Sequence, residues 1–128
     1  MVNNHQTGTE RRIFSRVPLE AKTVLHQGAS SWDVILIDIS LNGLAISIPE
    51  DWDADYNQSF TADIELEDGT ILELYTHLVH VEPDSLGFQC EHVDRTNLEI
   101  LLRLLEQKVD GTILKKEKVA LTENSALD

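Results

Sequence analysis

The sequence predicts a mainly β fold, a small six-stranded antiparallel β-barrel with a C-terminal α-helix packed on it. Three observations support this. Between residues 22 and 90, short apolar and β-branched runs alternate with turn signals. No helical period interrupts that span, so short antiparallel turns are expected between the strands. A helical period begins only near Thr96, and 128 residues suit one domain with a modest core.

The six predicted strands are short and follow one another closely along the chain. They cover residues 22–27, 32–39, 44–48, 63–67, 71–81 and 86–90. Within the second strand, residues 34–37 are all apolar, which is typical of a strand covered on both faces. Asp68 and Gly69 form a dipeptide that predicts a tight hairpin turn.

After the last strand the apolar spacing becomes helical. Thr96 and Glu99 fit a capping box at the start of a helix, and Gly111 stands where a C-terminal cap is expected. A second, weaker helix is expected over residues 113–121. The predicted organisation is therefore a disordered tail (1–9), a barrel domain with its closing helix (10–110), and an extension, partly helical and then disordered (111–128).

Composition excludes several classes of function. A net charge of −13 argues against binding to a nucleic-acid polymer or an anionic membrane, because both would repel the chain. The sequence contains no apolar run of membrane-spanning length, no signal-peptide core, no catalytic motif and no metal-ligand set. Cys90 is the only cysteine, which favours a core position and a reducing cytoplasm. His77 and His80 are three residues apart, so on a regular strand they face opposite ways and form no metal pair.

Three arginines lie within six residues near the N-terminus: Arg11, Arg12 and Arg16. From residue 17 to residue 94 only Lys22 adds a positive charge, against sixteen Asp and Glu. A residue before proline avoids the helical conformation, so Val17-Pro18 argues against a helix here and the arginines are expected on an extended arm. The arm has two interpretations: it neutralises the protein's own carboxylates, or it captures an anion through the forked donors of guanidinium.

A turn that follows the second strand carries Asp38, Ser40 and Gly43. Asp38 and Ser40 are two residues apart and project to one face of an extended strand. Gly43 permits a backbone conformation closed to other residues, or close approach by a ligand. Asp and Ser are also ordinary turn formers that bond their own backbone, so the turn alone supports a purely structural interpretation as well.

Together, the RxxxR pattern from Arg12 to Arg16 and the DxSxxG pattern from Asp38 to Gly43 resemble the PilZ domain, over residues 10–108. That family comprises bacterial receptors for the second messenger cyclic di-GMP, and the likeness is to its stand-alone, single-domain members. The resemblance implies a non-enzymatic cytoplasmic receptor whose arm folds down on the ligand and changes a surface read by a downstream protein. The alternative is an adaptor barrel that no longer binds the nucleotide.

The resemblance also implies roles for the arm. Arg12 and Arg16 would bond the phosphates and the O6/N7 edge of guanine, and Arg11 a phosphate or a second guanine. Charge-assisted bonds of about 1.5–3 kcal/mol each make four or five of them ample for micromolar binding, about −8 kcal/mol. Because Arg11 adds a third guanidinium, two cyclic di-GMP molecules per chain are expected. The structural alternative is that Arg11 pairs with Glu10 or points to solvent.

The turn residues complete the implied site, and no cofactor is expected besides the ligand. Asp38 would accept from the guanine N1–H and amine or orient an arginine, Ser40 would bond base or phosphate, and Gly43 would let the backbone come near. A flat side chain near the end of the long strand would help to stack a guanine. His80 is the candidate, and its alternative is a partly buried strand histidine.

Overall fold

The computed structural model describes residues 14–123, so the predicted disordered tail and the last five residues lie outside it. Seven strands and two helices succeed one another in this span. They are β1 (Val17–Pro18), β2 (Lys22–Gln27), β3 (Ser30–Ser40), β4 (Gly43–Ser47), β5 (Phe60–Glu65), β6 (Ile71–Val81), β7 (Ser85–His92), α1 (Arg95–Glu106) and α2 (Gly111–Glu123). Each of the six predicted strands is present.

The strands β2 to β7 close into an antiparallel barrel. Their order is β3-β2-β5-β6-β7-β4, and a further pairing of β3 with β4 completes the circle. The strand β1 is an addition, paired with the far end of β3. The predicted six-stranded barrel is confirmed. At the β5–β6 hairpin Gly69 has φ of 88°, the left-handed conformation that the Asp68-Gly69 turn requires.

Strand β3 is covered on one face only, so the prediction that residues 34–37 are buried on both faces is wrong. Val34 and Leu36 point into the core, whereas Ile35 and Ile37 are 45% and 42% exposed. A register shift between Leu36 and Asp38 interrupts the pairing with β4 and changes which residues face outward. Antiparallel barrels leave one side of each strand to solvent, and here that side carries isoleucine.

Aromatic side chains fill one end of the core. Trp52, from the loop between β4 and β5, packs edge-on against Trp32 at 4.9 Å and stacks on Phe60 at 5.8 Å. Trp32 also donates through Nε1 to the carbonyl oxygen of Asp51. Cys90 is buried in the same core, and burial raises the pKa of its thiol to about 12, as expected for an inert core cysteine.

Both predicted helices are present, but their caps differ from the prediction. The N-cap of α1 is Asp94, whose carboxylate accepts from the backbone N–H of Asn97, so the Thr96 capping box is not used. Gly111 does not cap α1, which ends at Glu106; it is the first residue of α2. Asp110 accepts from the N–H of Thr112 and so lets the chain restart as a helix at once. Within residues 14–123, neither helix has the length and apolar character needed to cross a bilayer.

Candidate functional site

The end of the arginine arm lies beside the Asp38 turn. In β1, Val17 pairs with Ile39 and Pro18 with Asp38, so the chain before them reaches β3 where the DxSxxG pattern begins. Nη1 of Arg16 lies 3.4 Å from Oδ1 of Asp38. The Arg16 side chain remains 58% exposed and that of Asp38 23%. An exposed ion pair of this kind contributes little to stability, so both groups remain open to a ligand.

Next to this pair, one row of residues crosses the outside of the barrel from β3 to β6. Asp38 pairs with Ala45, Ala45 with Gly87, and Gly87 with His80. At about 4.8 Å between neighbouring strands, the row is about 14 Å wide. Its middle has no large side chain. Beside Asp38, outward residues of β4, the first half of β7 and the second half of β6 form a surface without formal charge, here called the neutral face: Ala45, Ser47, Val79, His80, Ser85 and Gly87.

His80 lies at the far end of this row, exposed and packed over Gly87. A Cβ built on Gly87 would lie 3.2 Å from Cβ and 3.5 Å from Cδ2 of His80, so the glycine provides the space for the imidazole. A register shift between Leu78 and His80 adds a residue to β6. His77, opposite Gln89, and His80, opposite Gly87, consequently share the outer face, and the prediction that they face opposite ways is wrong.

Sharing a face does not make these histidines a metal site. Nδ1 of His77 lies 3.5 Å from Oε2 of Glu91, which also accepts from the hydroxyl of Ser59. Among residues 14–123, no group of three His, Cys, Asp or Glu is placed to hold a metal ion.

Ser40 and Gly43 shape the turn. The Ser40 hydroxyl is within bonding distance of Oδ1 of Asn42, at 3.0 Å, and of the Gly43 carbonyl, at 3.4 Å, and it accepts from the N–H of Asn42. Gly43 does not have positive φ, so the expected special conformation is not the reason for the glycine. A Cβ there would lie 2.3 Å from the carbonyl oxygen of Phe88. Gly43 is therefore needed because β4 and β7 approach closely.

Two residues of this region were missed by the sequence reasoning. Gly87 interrupts an apolar strand, a signal of close approach that was available. Glu117 of α2 is 5% exposed and accepts from both the N–H and the hydroxyl of Ser15, at 3.0 and 2.5 Å. A glutamate within the buried stripe of a helix was the available signal. Arg11 and Arg12 lie outside the described residues, so of the predicted arginines only Arg16 has a place here.

The sequence matches the PilZ domain family over residues 10–107. The chain belongs to the PilZ family. The matched range spans the residues of both sequence patterns, and the predicted membership of the PilZ family is confirmed. PilZ domains are known as non-catalytic receptors for cyclic di-GMP.

Three solved PilZ-domain structures share the fold at low sequence identity. The Bacillus subtilis inhibitor of motility MotI is 15% identical with a TM-score of 0.64, and the match covers 77% of this chain and 50% of the MotI chain. Escherichia coli YcgR in complex with c-di-GMP is 17% identical with a TM-score of 0.63, covering 85% and 50%. The PilZ domain of CeSA from a cellulose-synthesizing bacterium is 15% identical with a TM-score of 0.60, covering 73% and 96%. The chain thus spans about half the length of MotI and YcgR.

Proposed function

We propose that this PilZ protein is a cytoplasmic, non-enzymatic receptor that binds cyclic di-GMP between the arginine arm and the neutral face. The observation that carries the proposal is the pairing of β1 with β3, which sets Arg16 beside Asp38 at the edge of the uncharged neutral face. Between residues 17 and 94 the only other Lys or Arg is Lys22, against sixteen Asp and Glu. On the barrel strands, a dianionic ligand therefore has its most favourable approach beside Arg16.

The arginines supply the attraction. Arg16 bonds a phosphate or the O6/N7 edge of a guanine, for which its planar fork is suited. Arg12, four residues earlier in the same arm, takes the second acceptor pair. Asp38 keeps Arg16 oriented before binding and accepts from the N1–H and amine of guanine afterwards. Lysine in place of either arginine would lose the bidentate geometry.

The other residues of the site act mainly through shape. Ser40 fixes the turn and offers its hydroxyl at the edge of the site, while Gly43 keeps β4 against β7. Ala45 leaves a flat floor on which a purine can lie, and the imidazole of His80, seated over Gly87, provides a stacking surface at its end. Stacking on an aromatic side chain contributes about 1–3 kcal/mol per base.

Two ligands per chain are the proposed stoichiometry, with Arg11 as the third guanidinium. An intercalated pair of cyclic di-GMP stacks four guanines, which extend about 10 Å at about 3.4 Å per base. The row from Asp38 to His80, about 14 Å wide, has room for that stack. Arg11→Leu is expected to reduce the stoichiometry to one while binding persists.

The output of the receptor is proposed to be a protein-interaction surface. Ligand binding lays the arginine side chains and the nucleotide over the neutral face, so that they cover its apolar and small side chains. A downstream protein would then recognise the altered surface.

Calorimetric titration with cyclic di-GMP tests the proposal, with cyclic di-AMP as the matched control. The two ligands carry the same phosphates, but adenine presents an amino donor where guanine presents the O6 acceptor. Micromolar binding of cyclic di-GMP, and binding of cyclic di-AMP weaker by at least about tenfold, is expected. Heat release is the appropriate signal because Trp32 lies six residues before Asp38 on β3, about 20 Å away.

Absence of binding by cyclic di-GMP would contradict the proposal and leave the adaptor barrel as the function. Equal affinity for both dinucleotides would mean that phosphates alone are recognised. A one-to-one endpoint would overturn only the stoichiometry.

A further inference from the structure

The second helix carries a carboxylate in its buried stripe. Leu114, Glu117 and Leu121 are spaced as on one helical face, and each is at most 5% exposed. Leucines at the first and last of these positions pack on the core. Burying a charged group is costly unless it is paired or well hydrogen-bonded, so Glu117 requires a reason other than packing.

The partner of Glu117 is the arginine arm. One carboxylate oxygen, Oε2, accepts from both the backbone N–H and the hydroxyl of Ser15, a residue 102 positions away in sequence. The other oxygen, Oε1, is buried and has no partner among residues 14–123. Ser15 lies inside the RxxxR pattern, directly before Arg16.

These bonds fix the arm on the N-terminal side of Arg16, and β1 fixes it on the other side. Val17 pairs with Ile39, Leu19 donates to the carbonyl oxygen of Ile37, and Phe14 is buried in the core. The backbone of Arg16 is thus held between two anchors while its side chain stays exposed. Ordering a residue on binding costs about 1–2 kcal/mol of backbone entropy, which an arm fixed in advance does not lose.

We propose that Glu117 is a positioning residue: through Ser15 it holds Arg16 at Asp38, so docking of α2 and ligand binding favour each other. This inference rests on the proposed function, since cyclic di-GMP is the ligand whose affinity it sets. Coupling between two equilibria is reciprocal. The ligand should therefore stabilise the docked α2 to the same extent that the docked helix strengthens ligand binding.

The test measures cyclic di-GMP affinity for Ser15→Ala, Glu117→Ala and the double variant. Glu117→Ala should weaken binding about tenfold, equivalent to about 1.4 kcal/mol. Ser15→Ala, which keeps the backbone bond, should weaken it about threefold, because 0.7 kcal/mol is half of that difference. The double variant should match Glu117→Ala alone, since both act through one contact. Glu106→Ala, which removes the same side chain from an exposed place on α1, is the matched control and should bind as wild type.

Amide hydrogen exchange distinguishes a positioning role of Glu117 from a purely structural one, because a structural role would not change how exchange responds to the ligand. In the wild type, cyclic di-GMP should slow exchange of Ser15 and of α2, and in Glu117→Ala it should not slow α2. Should Glu117→Ala unfold, Glu117→Gln replaces it: it keeps an acceptor for Ser15 and should bind within about threefold of wild type, a difference of about 0.7 kcal/mol.

Several outcomes would overturn the inference. Glu117→Ala could bind cyclic di-GMP as tightly as wild type or more tightly, or the affinity losses of the two single variants could add up in the double variant. Glu117→Gln could bind as weakly as Glu117→Ala, or the ligand could speed up amide exchange of α2. Any one of these results contradicts the positioning role. If wild type binds and Arg16→Ala does not, while Glu117→Ala binds normally, the positioning role fails and the receptor function stands. If wild type does not bind, both fail.

Discussion

On the outside of β5 and of the first halves of β3 and β6, carboxylates lie close to one another. On β4, the first half of β7 and the second half of β6, alanine, glycine, serine and histidine take their place. The first surface, here called the acidic face, consists of Asp33, Asp63, Glu65 and Glu73. Asp63 lies directly opposite Glu73 in the ladder. Like charges in that position destabilise a sheet.

Each of these two carboxylates has local partners that reduce the repulsion. Asp63 lies 3.0 Å from Nε2 of His26, and Glu73 accepts from the hydroxyl of Tyr75 at 3.2 Å. That bond to Glu73 raises the pKa of Tyr75, so the phenol remains a donor. The neutral face has no such requirement. The comparison supports the proposed site, because the four carboxylates of the acidic face lie away from Ala45 and His80, while Arg16 lies beside Asp38 at the edge of the neutral face.

The largest expected effect comes from placing one carboxylate on each face in turn. Ala45→Glu should lower cyclic di-GMP affinity by about a hundredfold, about 2.7 kcal/mol, because the new charge lies next to the bound phosphates. Thr61→Glu, on the outside of β5, should leave affinity within about twofold, since its charge is on the far side and screened. Calorimetry of both variants, with circular dichroism to verify folding, decides this. Equal losses would mean that the two faces do not differ as proposed.

The next effect compares the two cations described between residues 14 and 94. Arg16→Ala should weaken binding by at least about tenfold, because it removes charge-assisted bonds that no described neighbour can replace. Lys22→Ala removes a charge from the start of β2 and should have no effect on affinity. Arg12→Ala is expected to behave as Arg16→Ala does. Wild-type affinity in both arginine variants would refute the assignment of the arm.

Some features of the fold and of the candidate site could be predicted from the sequence, and others could not. The alternation of residues 22–90 predicted the barrel, because it follows from local spacing. That the arginine arm and the Asp38 turn belong to one site was implied by the resemblance to PilZ domains. The outer faces of β3 and β6 were mispredicted. On β3, an apolar run does not reveal whether a second layer covers its outer face, and Ile35 and Ile37 are exposed. On β6, the register shift at Leu78/His80 depends on the partner strand, which local alternation does not reveal.

The helical residues were only partly predictable for a related reason. The apolar stripe predicted α1, but the choice of Asp94 over Thr96 as cap depends on how β7 delivers the chain. Glu117 was overlooked because its partner, Ser15, is 102 residues away. Contacts of that sequence separation are set by the closed barrel and not by any neighbouring pattern.

A smaller effect compares two histidines, one near each face. His80→Ala should weaken binding about fivefold, equivalent to about 1 kcal/mol, through loss of one stacking surface. His26→Ala should leave affinity unchanged and lower the thermal midpoint by a few degrees, because it leaves Asp63 facing Glu73 without its partner. Thermal melts and calorimetry on both variants separate the two roles. Loss of affinity in His26→Ala alone would reverse the assignment of faces.

The smallest expected effect is the change of cyclic di-GMP affinity with salt concentration. Attraction by Arg16 and repulsion by the acidic face contribute to it with opposite signs. Attraction between Arg16 and phosphate acts at contact distance and is only partly screened, because the Debye length is about 10 Å at 0.1 M salt. Repulsion from the acidic face acts across the barrel, beyond that length, and is screened first. Raising salt from about 0.05 to 0.2 M should therefore weaken binding only about two- to threefold. In Ala45→Glu the added repulsion is close to the ligand, so affinity should change even less or improve with salt. A steep loss of affinity in the wild type would mean that long-range attraction dominates and that the acidic face does not influence the site. An affinity independent of salt would assign the binding energy to stacking on His80.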